Sequence, residues 1–131
     1  MAITANVLTV YDGEVNATVN VIGLADAQGG QETLVVKIDV SELTPPCQSV
    51  AIQEIEYDVE GGVVTLLWDD LTPVPFLYLN GHNRFDYRRE GRLQNAADPQ
   101  SRSGDILLSA TDFDPNGSYT ILVKMRKKFA A

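Results

Sequence analysis

The chain has 131 residues, 44% of them apolar, which suits one domain with its own core and argues against disorder along the whole length. Eighteen acids against ten Lys and Arg leave a formal charge of −8, so a general binder of nucleic acid or anionic membrane is not expected. A single cysteine, Cys47, excludes an internal disulfide and any zinc site built from several cysteines.

The charge is unevenly spread. Through Leu79 there are twelve acids and one base, Lys37; from Asn80 onward there are six acids and nine bases. The plain reading is two solvated regions of different sign, and the sharper one is a pair of opposite patches that meet a partner or another copy. No basic start is followed by an apolar run, and no stretch reaches membrane-spanning length. The expectation is a protein made in a reducing compartment, in which the sequon Asn16-Ala17-Thr18 carries no weight.

Ala2 to Val10 is apolar and β-branched, a first strand, and Asp12-Gly13 signals a two-residue hairpin. Val15, Ala17, Val19 and Val21 alternate with polar residues, the period-two pattern of a half-buried strand. After the connection at 25–31, Leu34, Val36, Ile38 and Val40 predict a third strand with that row inward. Pro45-Pro46 marks a crossing loop. Val50 and Ile52 lie on one phase and Ile55, Tyr57 and Val59 on the other, as an inserted residue at Gln53-Glu54 would produce. Glu60-Gly61-Gly62 predicts a turn, and Val63 to Trp68 a central strand covered on both faces. Asn80-Gly81 predicts a hairpin that sets Phe76 opposite Phe85. Residues 88–103 read as a long arginine-bearing loop with a short helix around 93–97. Ile106, Leu108 and Ala110, then Tyr119, Ile121, Val123 and Met125, predict two closing strands around a polar loop.

Eight or nine short strands with turn signals between them predict a single all-β domain over 1–131, an antiparallel β-sandwich, β-tulip or small barrel without a long helix.

Candidate chemistry is sparse. Asp112, Asp114 and Asn116 match the opening of a calcium loop, D-x-D-x-N-G, but Val123 stands where the bidentate acid belongs, and Asp-Pro-Asn-Gly is itself a good turn. Asp69-Asp70 could form half of a carboxylate pair with Asp112 or Asp114, although acids after a strand usually solvate a turn. His82, the one histidine, has no G-x-S-x-G elbow to serve, and no glycine-rich phosphate loop is present. No catalytic residue, cofactor or resident metal is expected. Arg84, Arg88, Arg89, Arg92 and Arg102, interleaved with Phe85 and Tyr87, fit a protein contact better than single-stranded nucleic acid, since arginine and tyrosine are favoured at interface centres.

The stretches GDILLSATDFDPNGSYTILVKMRK, VNATVNVIGLADAQGGQETLVVKIDVS and VTLLWDDLTPVPFLYLNG together resemble virion structural proteins of tailed bacteriophages, especially capsid decoration (cement) proteins. The resemblance implies a non-enzymatic β-domain, made in the host cytoplasm and attached in many copies outside the head. It also implies the major capsid protein as partner, self-association (a trimer above all), and no nucleic-acid or membrane partner. The contact elements would be Arg84 to Arg102, Met1 to Asn6, and the basic tail from Lys124 through Arg126 to Lys128. A tail or head–tail connector protein is the alternative within the class. A calcium- or carbohydrate-binding module using Trp68 or Tyr78 is the alternative outside it.

Overall fold

The computed structural model describes residues 3–98 and 100–129. Its strands are β1 (Ile3–Asp12), β2 (Asn16–Ala25), β3 (Gly30–Ile38), β4 (Ser49–Trp68), β5 (Val74–Asp86), β6 (Ile106–Phe113) and β7 (Ser118–Lys128). Two single-turn 3-10 helices lie at Val40–Glu42 and Arg88–Glu90. The strands form one antiparallel sheet in the order β1-β2-β7-β4-β6-β3, with β5 on the opposite edge of β4. The sheet curls until its end strands, β1 and β3, approach each other. This is the all-β class that the alternation predicts, an antiparallel sandwich or small barrel.

The inward rows match expectation where both neighbours of a strand are present. Ala17, Val19 and Val21 of β2, Ile106, Leu108 and Ala110 of β6, and Tyr119, Ile121, Val123 and Met125 of β7 are all buried. The phase switch in β4 is a β-bulge: Ile52 pairs with Met125 and Glu54 with Lys124, leaving Gln53 extra. Ile52 before the bulge and Ile55, Tyr57 and Val59 after it therefore all reach the core.

Two predicted turns lie inside strands instead. At Glu60-Gly61-Gly62, β4 bends without ending: Ser49 to Glu60 pairs with β7, and Val63 to Trp68 pairs with β6. Gly61 takes φ +85°, a conformation that costs glycine least. The Asn80-Gly81 hairpin does not form, because β5 follows β4 around this corner. Between the Val59–Gly81 and Val64–Leu79 pairs, β4 runs from 59 to 64 while β5 runs only from 81 to 79. A type I′ turn needs positive φ at both central residues, and Gly81 has it (+76°) while Asn80 does not. Phe76 and Phe85 are consequently not partners. Phe76 stacks on Trp68 at 4.1 Å between centroids, and Phe85 tilts against Tyr57 at 5.8 Å.

Three smaller expectations also shift. The first hairpin closes at the Asp12–Ala17 pair, with a Gly13 N–H to Asn16 carbonyl bond of 2.8 Å, so its loop is longer than two residues. Residues 93–97 form no helix; Leu93 bridges to Ile52 as an extension of the sheet. In β3, Leu34 and Val36 are exposed, whereas Lys37 is buried with Ile38. Register shifts along β3 and φ +49° at Leu34 break the alternation that the sequence suggests.

The inward row of β7 continues past Met125 to Lys127, whose side chain is wholly buried. Its ammonium donates to Asp12 Oδ1 (2.6 Å) and to the carbonyls of Gly13 (2.7 Å), Thr44 (3.0 Å) and Pro45 (3.2 Å). Asp12 in turn accepts the Thr44 N–H at 2.8 Å. One cation thus ties β7, the β1–β2 hairpin and the proline loop together. Lys127→Met should cost about 3 kcal/mol, because it strands the Asp12 carboxylate and several carbonyls. Chemical denaturation is the measurement, with exposed Lys128→Met as the control that leaves stability unchanged.

Candidate interaction surfaces

The bulge at Gln53 aims Glu54 at the outer face of the sheet, where a carboxylate would normally be solvated. Here its side chain is only 4% exposed, because three cations close over it. Arg84 Nη2 lies 2.6 Å and Arg88 Nη2 3.2 Å from Glu54 Oε1, and Lys124 Nζ lies 3.2 Å from Oε2. Asp86 shares the two arginines, at 2.8 Å from Arg88 and 4.0 Å from Arg84. The Arg84 guanidinium bound to Glu54 holds its carboxyl below the ordinary range, against the desolvation that works the other way. Asp86 is likewise held low, chiefly by the Arg88 side chain.

Arg84, Arg88 and Lys124, expected as partner-binding residues, are therefore brought together by an internal carboxylate. The others are not part of this cluster. Arg89 and Arg126 are exposed and form no ion pair among the described residues. Arg92 sits at φ +68° with its Nε buried and unpartnered, and Arg102 donates to the Asn95 carbonyl at 3.2 Å. Of the proposed N-terminal contact, Met1 and Ala2 fall outside the described residues and Ile3 to Asn6 belong to β1. Within the basic tail, Lys127 is excluded as a contact by its burial.

The arginine-bearing loop is docked rather than free. Tyr87 N–H binds the carbonyl of the bulged Gln53 (2.8 Å), and Leu93 exchanges two 2.9 Å bonds with Ile52. Asp70 accepts from the Ser101 hydroxyl and from Asp98 N–H, and Asp69 accepts from Ser103 Oγ at 2.5 Å. The Ser101 bond above all lowers the Asp70 carboxyl. Asp69 and Asp70 are loop anchors, at the opposite end of β6 from Asp112. The acid–base pair does not assemble.

The calcium-like loop also has a local task. Asp114 N–H binds Gly61 O (2.7 Å) and Asn116 N–H binds Asp26 O (3.0 Å), which seats the turn in the corner of β4. Among the described residues no three His, Cys, Asp or Glu side chains are grouped to hold a metal. Burial pushes the Cys47 thiol up, away from the thiolate that nucleophilic chemistry needs. Trp68 is fully buried and unavailable as a binding platform, while Tyr78 is exposed. A depression of about 750 Å³ on the outer face is lined by Asn20, Glu56, Asp58, His82, Thr120 and Leu122, among others, and is open to solvent.

What sequence reasoning missed is on the edges. β1 is exposed on both faces, with Val7, Leu8, Val10 and Tyr11 uncovered, and β3 exposes Leu34, Val35 and Val36. The only advance signal is the absence of any charge before Asp12.

Neither a protein-family model nor a curated protein matches the chain. Among solved structures, a cupin domain from Bordetella pertussis Tohama I aligns over 95% of this chain and 93% of its own, at 11% identity and a TM-score of 0.37. That likeness is too weak to carry an argument about function.

Glu54→Gln should cost about 1–2 kcal/mol, allowing for solvent around its partly exposed partners. The folded-state pKa of Glu54 lies below the ordinary value of 4.5, so its stabilisation is full above that value and is lost as pH falls through the folded value. Asp12, Asp70 and Asp86 are lowered as well, so the measurement is the difference in melting midpoint between wild type and Glu54→Gln. That gap should narrow below pH 4.5. Arg88→Ala should lower the midpoint at neutral pH, and Arg89→Ala should not.

Proposed function

We propose that the chain is a non-enzymatic virion structural protein, a capsid decoration protein that binds the outside of a phage head and stabilises it through protein–protein contacts. The observation that carries this reading is β1. Its residues Thr4 to Tyr11 are exposed, it bears no charge before its last residue, and one of its backbone edges has no neighbouring strand. Long apolar edge strands are templates for other chains, and natural proteins cover or charge them. A contiguous uncovered apolar surface likewise marks a place where another protein binds.

The rest of the molecule supports a scaffold role. Its charged side chains with buried partners hold loops and strands in place: Glu54 gathers the β5 and β7 cations, Asp69 and Asp70 anchor the arginine-bearing loop, and Lys127 closes the hairpin end. A cement protein needs this kind of rigidity and complementary surfaces, with no reaction centre or cofactor. Its partners in this reading are the major capsid protein and further copies of itself, arranged as trimers at local three-fold axes. Arg89 and Arg126, which form no ion pair among the described residues, are in this reading available for the capsid.

Quantitative mass spectrometry of the purified virion tests the proposal. A copy number of the same order as the major capsid protein is expected. A handful of copies would reassign the chain to the tail or connector, and complete absence would overturn the virion reading.

A further inference from the structure

β3 is built inside out for a monomer. Its two charged residues, Glu32 and Lys37, turn inward, with side chains 10% and 5% exposed and a 2.7 Å bond between them. The buried Tyr119 hydroxyl donates to the same Glu32 at 2.5 Å. Meanwhile Leu34, Val35 and Val36 are 44%, 37% and 46% exposed. Burying an ion pair carries a desolvation cost, and leaving three aliphatic side chains in water forgoes their burial. Covering the outside of β3 would recover that burial.

Two other strands also have an unpaired backbone edge among the described residues, β5 next to β4 and β1 next to β3. β1 and β3 are the two ends of the sheet order, each with one backbone edge unpaired, and the curl of the sheet brings them together. Leu8 and Val10 of β1 are 48% and 62% exposed, so both strands carry uncovered aliphatic side chains. We infer that this β1–β3 seam is the contact between copies of this chain, β1 of one copy meeting β3 of the next.

Charge selects the occupant. The chain carries −8 overall, so most of its surface repels a second copy. The seam lacks that repulsion, because β1 is uncharged from Ile3 to Tyr11 and the charges of β3 neutralise each other inside. A strongly charged partner would find nothing there to pair with. Geometry selects the mode. When β1 of one copy meets β3 of the next without the reverse pairing between the same two copies, the contact is head-to-tail and closes into a ring when the rotation allows.

This inference rests on the protein-contact reading above and names the surface through which copies meet; oligomeric state and virion copy number are separate measurements, so the two can fail separately. The test is sedimentation velocity of the purified full chain over a concentration series. Wild type should form a closed ring-sized oligomer. Leu8→Lys on β1 and Val36→Lys on β3 should each weaken association by about tenfold or more. Leu71→Lys, at an exposed site outside the strands, should leave it intact. Circular dichroism and melting of each variant exclude misfolding as the cause, and a second pair, Val10→Lys and Leu34→Lys, replaces any variant that fails to fold. A wild-type chain that stays monomeric at its highest soluble concentration would overturn the seam contact, whatever the virion copy number. An oligomer indifferent to substitutions on either strand, or a dimer sensitive only to those on β1, would overturn it as well. Conversely, a ring disrupted by both variants would stand even if the chain were absent from virions.

Discussion

The bend in β4 governs the rest of the molecule. A strand of twenty residues would run far past the body of so small a domain if it stayed straight. By turning at Glu60-Gly61-Gly62 it exchanges β7 for β6 as its neighbour, while β5 stays beside it on both sides of the corner. The corner is held by chain segments distant in sequence. The 114–117 turn bonds to Gly61 and to Asp26, and Ala25 N–H reaches Gly117 O at 2.8 Å. The polar loop that resembles a calcium site therefore supports the corner that curls the sheet.

A second irregularity in the same strand shapes the outer surface. Without the bulge at Gln53, the residues after it would change faces, and the buried Ile55, Tyr57 and Val59 could not share a core with Ile52. The bulge has a consequence on the other face: it sets Glu54 opposite Lys124 and within reach of Arg84 and Arg88. The acidic first half of the chain and its basic second half thus neutralise each other where they are neighbours in the sheet. The charge asymmetry is in part an internal pairing code. Arg84, Arg88 and Lys124 stabilise the fold, and a partner would have to compete with Glu54 to use them.

Local alternation was enough to read β2, β6, β7 and the bulge, because each of these depends on which face a side chain takes along one strand. It could have gone further at Lys127, which continues the row of Tyr119, Ile121, Val123 and Met125 by the same period. The failures have non-local causes. Asn80-Gly81 carries the local signature of a hairpin, but β5 pairs with β4 on both sides of Gly81, and that pairing outweighs the turn preference. Leu34 and Val36 alternate correctly for a buried row, yet β3 is an edge strand whose bulges and inward ion pair reverse its faces. The convergence of three cations on Glu54 depends on pairing between three strands, which no single stretch of sequence records.

The reversal in β3 and the bareness of β1 express one design constraint from two sides. An edge strand is ordinarily protected by exposed charge, and here the charges available to β3 have been turned inward, toward Tyr119. Tyr119 is held strongly toward its protonated form, first by burial and then by its bond to Glu32, so it serves as the donor that completes the Glu32–Lys37 pair. The trio closes the mouth of the curled sheet from within and leaves its outer rim apolar. β1 lies next to that rim and has no charge of its own until Asp12, whose carboxylate is engaged by Lys127. β1 and β3 thus both lack the exposed charge that would keep them apart from another chain. The pairings that hold the fold together, Glu32 with Lys37 and Asp12 with Lys127, are the ones that remove charge from the exposed faces of these two strands.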